Sequence, residues 1–255
     1  MLELQDFRAA RRAIFDHMRL TPVFAPKNYS DKSVFPDRDR LPDLYLKLEN
    51  MQISGSFKAR GAMNAALALD EDKRANGLCT ASGMAYIHPF ADPRVIAGQG
   101  TIALEMLEQQ ADLDTLVVAI GGGGLISGVA TAAKMLRPSI RVIGVEPTGA
   151  PTLFESLKNN TVATLPSVNT AATSLAPRQS SALNVDLIGK NVDRIALVSD
   201  DEMRDAARWL WRELGLSVEL SAAAGIAAIL TGRLGVENPG KIGVIICGTG
   251  ADGMS

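Results

Sequence analysis

Thr115-Leu116-Val117-Val118-Ala119-Ile120-Gly121-Gly122-Gly123-Gly124-Leu125-Ile126-Ser127-Gly128 lies in an uncharged run, residues 115–133, with four consecutive glycines at its centre. Each glycine inside a helix costs roughly 0.5–1 kcal/mol, so a membrane-spanning helix is a poor reading of the run. A β-rich strand over 115–120, a glycine turn and a small-residue helix over 125–136 account for it better. The same alternation recurs on both sides. Strands are expected over 141–146, 194–198 and 242–246, with a small-residue helix over 222–230 and another helix opening on the capping box Ser199-Asp200-Asp201-Glu202. Upstream, helices are expected over 57–69 and 102–109, and an alternating strand over 44–48.

The chain opens on an amphipathic helix with Phe7, Ile14, Phe15 and Met18 on one face, closed by Thr21-Pro22. Residues 24–42, rich in Pro, Asp and Lys, read as a surface connection. Strands alternating with helices imply an α/β fold, a mostly parallel sheet with helices on both faces. Residues 77–92 break the pattern: 78–80 and 86–88 both look like strands, and so short a link calls for an antiparallel hairpin that nothing else supports.

The 255 residues are 47% hydrophobic and 21% charged, enough apolar material for a sizeable core in one large or two small soluble domains. Lys plus Arg number 26 against 28 Asp plus Glu, so the basic excess of a nucleic-acid binder is missing. Aromatic residues make up 5%, too few for a base-stacking platform. Cys79 and Cys247 are the two cysteines, which excludes a disulfide scaffold and points to a reducing, cytoplasmic compartment. Glu3, Asp6 and Asp16 stand among the arginines of the first twenty residues without an apolar run, unlike a signal or transit peptide.

Backbone amides unhindered by side chains at a helix N-terminus make an anion site. Gly121 to Gly124 therefore read as a phosphate cradle in preference to a tight turn, for which one or two glycines suffice. A dinucleotide site stays open. Its G-x-G-x-x-G spacing fails at Ser127, the sixth position from Gly122, yet Glu146 ends the next strand where a ribose-binding acid would lie. No Lys-Ser or Lys-Thr pair follows the glycines, which excludes a P-loop. Lys58, in Ser54-Gly55-Ser56-Phe57-Lys58-Ala59-Arg60-Gly61, sits beside an aromatic residue at a helix start and could be a Schiff-base nucleophile; taken by itself it reads as a surface lysine. H-E-x-x-H, C-x-x-C and G-x-S-x-G motifs do not occur, and Gly55 stands where a Ser-x-x-Lys hydrolase needs serine. His17 reads as a solvated helix residue and His88, before Pro89, as structural.

Together these pieces resemble the fold-type II pyridoxal-phosphate enzymes of the serine/threonine dehydratase (ammonia-lyase) and serine racemase group. The resemblance is carried by Lys47-Leu48-Glu49-Asn50-Met51-Gln52, Gly55-Ser56-Phe57-Lys58, Arg60-Gly61-Ala62, His88-Pro89-Phe90, Asp92-Pro93, Val95-Ile96-Ala97-Gly98-Gln99-Gly100-Thr101, the tetraglycine, Gly144-Val145-Glu146-Pro147, Val218-Glu219 and Cys247-Gly248. It runs from about residue 20 to the end and implies a tryptophan synthase β-like fold.

By that resemblance, Lys58 holds pyridoxal 5'-phosphate as a Schiff base and moves the substrate's Cα proton. Phe57 packs near the ring, and Gly121, Gly122, Gly123 and Gly124 hold the phosphate. Cys247 faces the pyridine nitrogen with Glu219 close by; a thiol is a weak partner that leaves the nitrogen mostly unprotonated, which suits β-elimination. The implied reaction is dehydration and deamination of a β-hydroxy amino acid of the L-threonine or L-serine type to a 2-oxo acid and ammonia. It would be carried out by a cytoplasmic homodimer acting on a small amino acid, with no nucleic-acid or membrane partner. Serine racemase or hydroxyaspartate dehydratase activity is the alternative within the group, although Gly83 falls where racemases present a second acid/base serine. A catalytically impaired cofactor-binding remnant and a nucleotide-binding protein are the alternatives outside it.

Two departures from the family pattern matter. Ser82, implied to bind substrate, and Gly83 begin the family's Ser-x-Gly-Asn-His loop, but Met84 then intervenes. The tetraglycine follows Lys58 by 63 positions, too few to hold the family's smaller domain; on the order of 60–70 residues, about two βαβ units, are missing. Residues 1–83 are accordingly expected to form the N-terminal part of the large domain and the start of the small one. Residues 84–255 are expected to form the rest of the large cofactor-binding domain, with an omitted segment near 83/84. The second departure concerns the divalent cation that some members bind through the glutamate of Glu-Pro, a backbone carbonyl and an aspartate: Glu146 and Ala150 match, and Thr152 stands at the aspartate position.

Overall fold

The structure, a computed structural model, describes residues 2–31, 33, 35, 42–72 and 86–254. Among them six strands form one sheet: β1 (Val23–Phe24), β2 (Asp43–Lys47), β3 (Thr115–Ala119), β4 (Arg141–Pro147), β5 (Arg194–Val198) and β6 (Lys241–Ile245). Their order is β1-β2-β6-β3-β4-β5, parallel throughout except for the antiparallel edge pair β1-β2. The helices are α1 (Leu4–Ile14), α2 (Lys58–Leu67), α3 (Pro93–Gln109), α4 (Gly124–Leu136), α5 (Thr152–Lys158), α6 (Ala182–Asn191), α7 (Asp200–Leu214) and α8 (Ala224–Leu230). No helix among the described residues is long and apolar enough to cross a membrane.

β3 is buried at every position, since it lies between β4 and β6 with Val117 opposite both Ile143 and Val244. A central parallel strand covered on both faces reads as an unbroken apolar run, which is what the opening segment supplies. From β3 the chain steps outward to β4 and β5, then returns to β6 on the other side of β3. The carboxyl ends of β3 and β6 thus flank the point where the winding reverses, the place where open α/β sheets leave a ligand crevice.

The α/β expectation is met, with most element boundaries within two residues. Several local expectations are corrected. The helix expected over 102–109 begins at Pro93, capped by the Asp92 carboxylate, which accepts from the Arg94 amide at 2.8 Å. Glycines hid its first half; in the fold they are contact points, and a Cβ on Gly98 would stand 2.6 Å from the Arg60 carbonyl oxygen of α2. Phe15 leaves the apolar face of α1 for a 3-10 turn and is 71% exposed. The connection over 24–42 is no mere surface link: it supplies half of β1, and Tyr29 and Phe35 are buried against Trp209 of α7, with ring centroids 5.4 and 5.9 Å away. Tyr86-Ile87-His88 forms no strand. Instead His88 Nδ1 accepts from the amides of Phe90 and Ala91, closing the turn that enters α3. The other half of the expected hairpin, Cys79, Ser82 and the expected join at Gly83–Met84 lie outside the described residues.

A buried ion cluster ties β2, α2 and α3 together. Arg60 donates to both oxygens of Glu49 (2.7 and 2.8 Å) and of Glu105 (2.6 and 2.8 Å), while Lys47 donates to Glu105 at 2.7 Å. Arg60, Lys47 and Glu49 are each 0% exposed.

Candidate active site

A cleft of about 380 Å³ opens beyond the carboxyl ends of β3 and β6. Lys58, Phe57, Gly121 to Gly124, Glu219 and Cys247 all line it, although they come from four separated stretches of chain. Backbone pairing explains the closeness. The Phe57 amide donates to the Cys247 carbonyl (3.0 Å), the Thr249 amide to Gly55 (2.8 Å) and the Glu219 amide to Gly248 (3.2 Å). The start of α2, the loop after β6 and the segment before α8 are thus laced into one wall. Lys58 is the first residue of α2 and is exposed to the cleft, its Nζ 5.1 Å from the centroid of the Phe57 ring.

The tetraglycine forms the opposite wall. Gly123 has φ of +97°, the left-handed region, and serves as the N-cap of α4. A Cβ on Gly122 would run into the ring of Phe90, so close packing excludes any side chain there. The Gly122 carbonyl is turned into the protein, accepting from Ser180 Oγ (2.8 Å) and Asn184 Nδ2 (2.9 Å). The first amide of α4 to find a helical partner is that of Ser127, bonded to Gly123 at 2.9 Å. Those of Gly124, Leu125 and Ile126 precede it, have no acceptor within the helix, and belong to cleft-lining residues. The arrangement is that of an anion cradle.

Cys247 is buried, and its thiol is pushed up to about 12 by burial, with the nearby Glu219 charge acting in the same direction. Its Sγ donates to Glu219 Oε1 over 3.9 Å, a long contact. The other oxygen, Oε2, accepts from Ser174 Oγ at 3.1 Å, and Ser174 Oγ is 2.7 Å from Ser221 Oγ. Ser174, Ser221 and Phe90 are cleft residues that the sequence reading left out; Asn184, behind the glycine loop, is another omission. Phe90 stood in the quoted His-Pro-Phe stretch and could have been singled out from it.

Glu146 and Ala150 stand apart from this cleft. Glu146 is 0% exposed, and its two oxygens accept from the amides of Leu153 and Phe154, both 2.8 Å, at the start of α5. Burial pushes its carboxyl up to about 8 against those two amide bonds. The Ala150 carbonyl accepts from the Thr152 amide at 2.9 Å, and Thr152 Oγ1 donates to the Pro177 carbonyl at 2.6 Å. A fully buried Glu146 has no surface to offer a ribose, which removes the basis of the nucleotide-binding alternative. Among the described residues no three His, Cys, Asp or Glu side chains gather as a metal would require.

The cleft fits pyridoxal phosphate on this structure's own terms. It holds a primary amine at one wall and an uncovered amide cradle at the other, in a volume within the range of about 300–1,000 Å³ usual for cofactor sites. Known proteins point the same way. Residues 78–248 match the family described as pyridoxal-phosphate dependent enzyme. Phenylserine dehydratase of Ralstonia pickettii is 34% identical, over 98% of this chain and 94% of its own. L-threonine ammonia-lyase of Thermotoga maritima is 29% identical, over 99% of this chain and 76% of its own. Each alignment spans 315 positions against the 255 residues present here, so at least 60 of them have no residue in this chain. The solved structure of maize serine racemase superposes with a TM-score of 0.88 at 29% identity, covering 97% of this chain and 94% of that one. Sheet, cleft and these matches agree, and the chain belongs to the pyridoxal-phosphate dependent enzyme family.

Proposed function

We propose that the protein dehydrates and deaminates a β-hydroxy amino acid of the L-threonine or L-serine type, releasing a 2-oxo acid and ammonia. The observation that carries this reading is the single cleft that gathers Lys58, Phe57, the four glycines, Glu219 and Cys247. Pyridoxal phosphate, when bound, supplies the electron sink that lets the Cα–H bond of an amino acid break. The protein's own groups do the rest. Lys58 Nζ anchors the cofactor and takes the proton from Cα. The loop from Gly121 to Gly124 holds the phosphate through amides and the α4 dipole, the latter contributing about 0.3–1 kcal/mol. Phe57 offers an apolar surface beside the ring, and Cys247 with Glu219 forms the inner wall. Ser82 is assigned to the substrate.

The organisation proposed with this reading takes residues 1–83 as the N-terminal part of the large domain and the start of the small one, and residues 84–255 as the rest of the large cofactor-binding domain, with an omitted segment near Gly83–Met84. A homodimer in the cytoplasm completes the proposal. Racemisation is the competing activity, since serine racemases are among the relatives at about the same identity. Incubating the purified protein with L-threonine, L-serine and L-phenylserine separates the two: 2-oxo acid formation supports the lyase, whereas D-serine without 2-oxo acid rejects it. Lys58→Ala is expected to abolish both the near-visible absorbance of the lysine-bound cofactor and all turnover. An unchanged spectrum in that variant would sink the assignment of Lys58.

A further inference from the structure

Ser174 belongs to none of the motifs that carry the family resemblance, yet it stands where the two walls of the cleft meet. Its backbone carbonyl packs against Gly121, where any Cβ would collide with it. Its hydroxyl reaches the other wall, 3.1 Å from Glu219 Oε2 and 2.7 Å from Ser221 Oγ. A hydroxyl has one proton to give and an ionised carboxylate has none. Ser174 therefore donates to Glu219, and the buried Ser221 donates to Ser174. The thiol of Cys247 approaches the other oxygen, Oε1, so both oxygens of Glu219 face donors. The turn that carries Ser174 is held independently of Glu219: Thr170 Oγ1 and the Ala171 amide both donate to the Asp200 carboxylate, each at 2.6 Å.

We infer that Ser174 is a positioning residue: its hydroxyl holds the Glu219 side chain turned toward Cys247, and so fixes where the Glu219 carboxylate lies relative to the bound cofactor ring. The inference rests on reading the cleft as the pyridoxal-phosphate site. Without the hydroxyl of Ser174, the charge is less firmly placed and the electrostatics of the bound ring change.

The test is the pH titration of the near-visible absorbance of the cofactor-loaded protein. Ser174→Ala is expected to move the midpoint by about half a pH unit or more, in the same direction as Glu219→Gln. Ser174→Thr, which keeps the hydroxyl, restores the wild-type midpoint. Ser174→Cys, nearly isosteric with a weaker donor, falls between and decides the matter if the alanine variant does not fold. The double variant Ser174→Ala/Glu219→Gln titrates like Glu219→Gln alone. A midpoint unmoved in both the alanine and cysteine variants, or shifts that add in the double variant, overturns the inference while leaving the site reading intact. A wild-type protein without near-visible absorbance overturns the site reading and the inference together.

Discussion

Cys247 lies two residues beyond β6 with its thiol buried near Glu219, and burial is a larger influence than the Glu219 charge in keeping its proton in place. The thiolate is the reactive form of cysteine, so Cys247 is expected to be inert in the folded protein. In a Cys79→Ser background, a small alkylating reagent at pH 7–9 should leave Cys247 unmodified until denaturant is added, as read by mass spectrometry. Rapid modification of the native protein contradicts the buried, protonated thiol. The four glycines were legible as an anion cradle from their own spelling, whereas Lys58 and Phe57, which line the same cleft, were singled out only through the family resemblance, Lys58 by itself reading as a surface lysine. Ser174 was not legible, because its partners Glu219 and Ser221 stand 45 and 47 positions away and no local spelling announces them. Asn184 was hidden in the same way, 62 positions from the Gly122 carbonyl it holds.

At the scale of elements, α3 shows why periodicity succeeded in outline and failed in detail. Gly98 and Gly100 in its first half look like helix breakers, and only the close approach of neighbouring helices makes them favourable. α5 and α6 escaped notice as well; α6 is marked at its start by Ser181, whose Oγ accepts from the Asn184 amide at 3.2 Å. The start of α3 carries a prediction. Burial works against the charge on Asp92, but the Arg94 side chain and amide outweigh it and hold the carboxyl below the usual aspartate range. Removing this N-cap by Asp92→Ala should cost about 0.5–2 kcal/mol in urea unfolding at pH 7. Asp92→Asn keeps the cap geometry and isolates the charge, whose share is small because the Arg94 partner is partly exposed. A folded pKa below the unfolded value contributes stability that is present above the ordinary aspartate pKa and lost as pH falls through the folded one. The gap between wild type and Asp92→Asn should therefore close on acidification below about pH 4. A gap that is constant from pH 7 to pH 3 speaks against the charge.

At the scale of the molecule, the reversal of winding at β3 and β6 places the cleft, and the ion cluster beneath α2 forms the floor on which Lys58 stands. Lys47, Glu49 and Arg60 lie inside the motifs that carried the resemblance, but Glu105, the partner that Lys47 and Arg60 share, is 45 positions beyond Arg60, so sequence spelling named them without joining them. The cluster holds two cations and two carboxylates and is neutral as a whole. Burial opposes the charge on Arg60, but the hydrogen bonds and charges of Glu49 and Glu105 prevail and raise its proton affinity. Burial lowers that of Lys47 despite Glu105. Removing one member of such a set leaves a buried charge without its partner, which typically costs about 3–5 kcal/mol. Arg60→Met should lose that much in urea unfolding, since Glu49 keeps only the hydroxyl of Thr21 as a side-chain donor among the described residues. Arg60→Lys should recover only part of the loss, because one ammonium cannot reproduce a planar fork that serves two carboxylates at once. Adding Glu49→Gln to Arg60→Met should make the protein more stable than Arg60→Met alone, because it removes the stranded carboxylate. The reverse order of those two variants, or an Arg60→Met protein within about 1 kcal/mol of wild type, would show that solvent reaches the cluster and that Lys58 does not stand on a rigid floor.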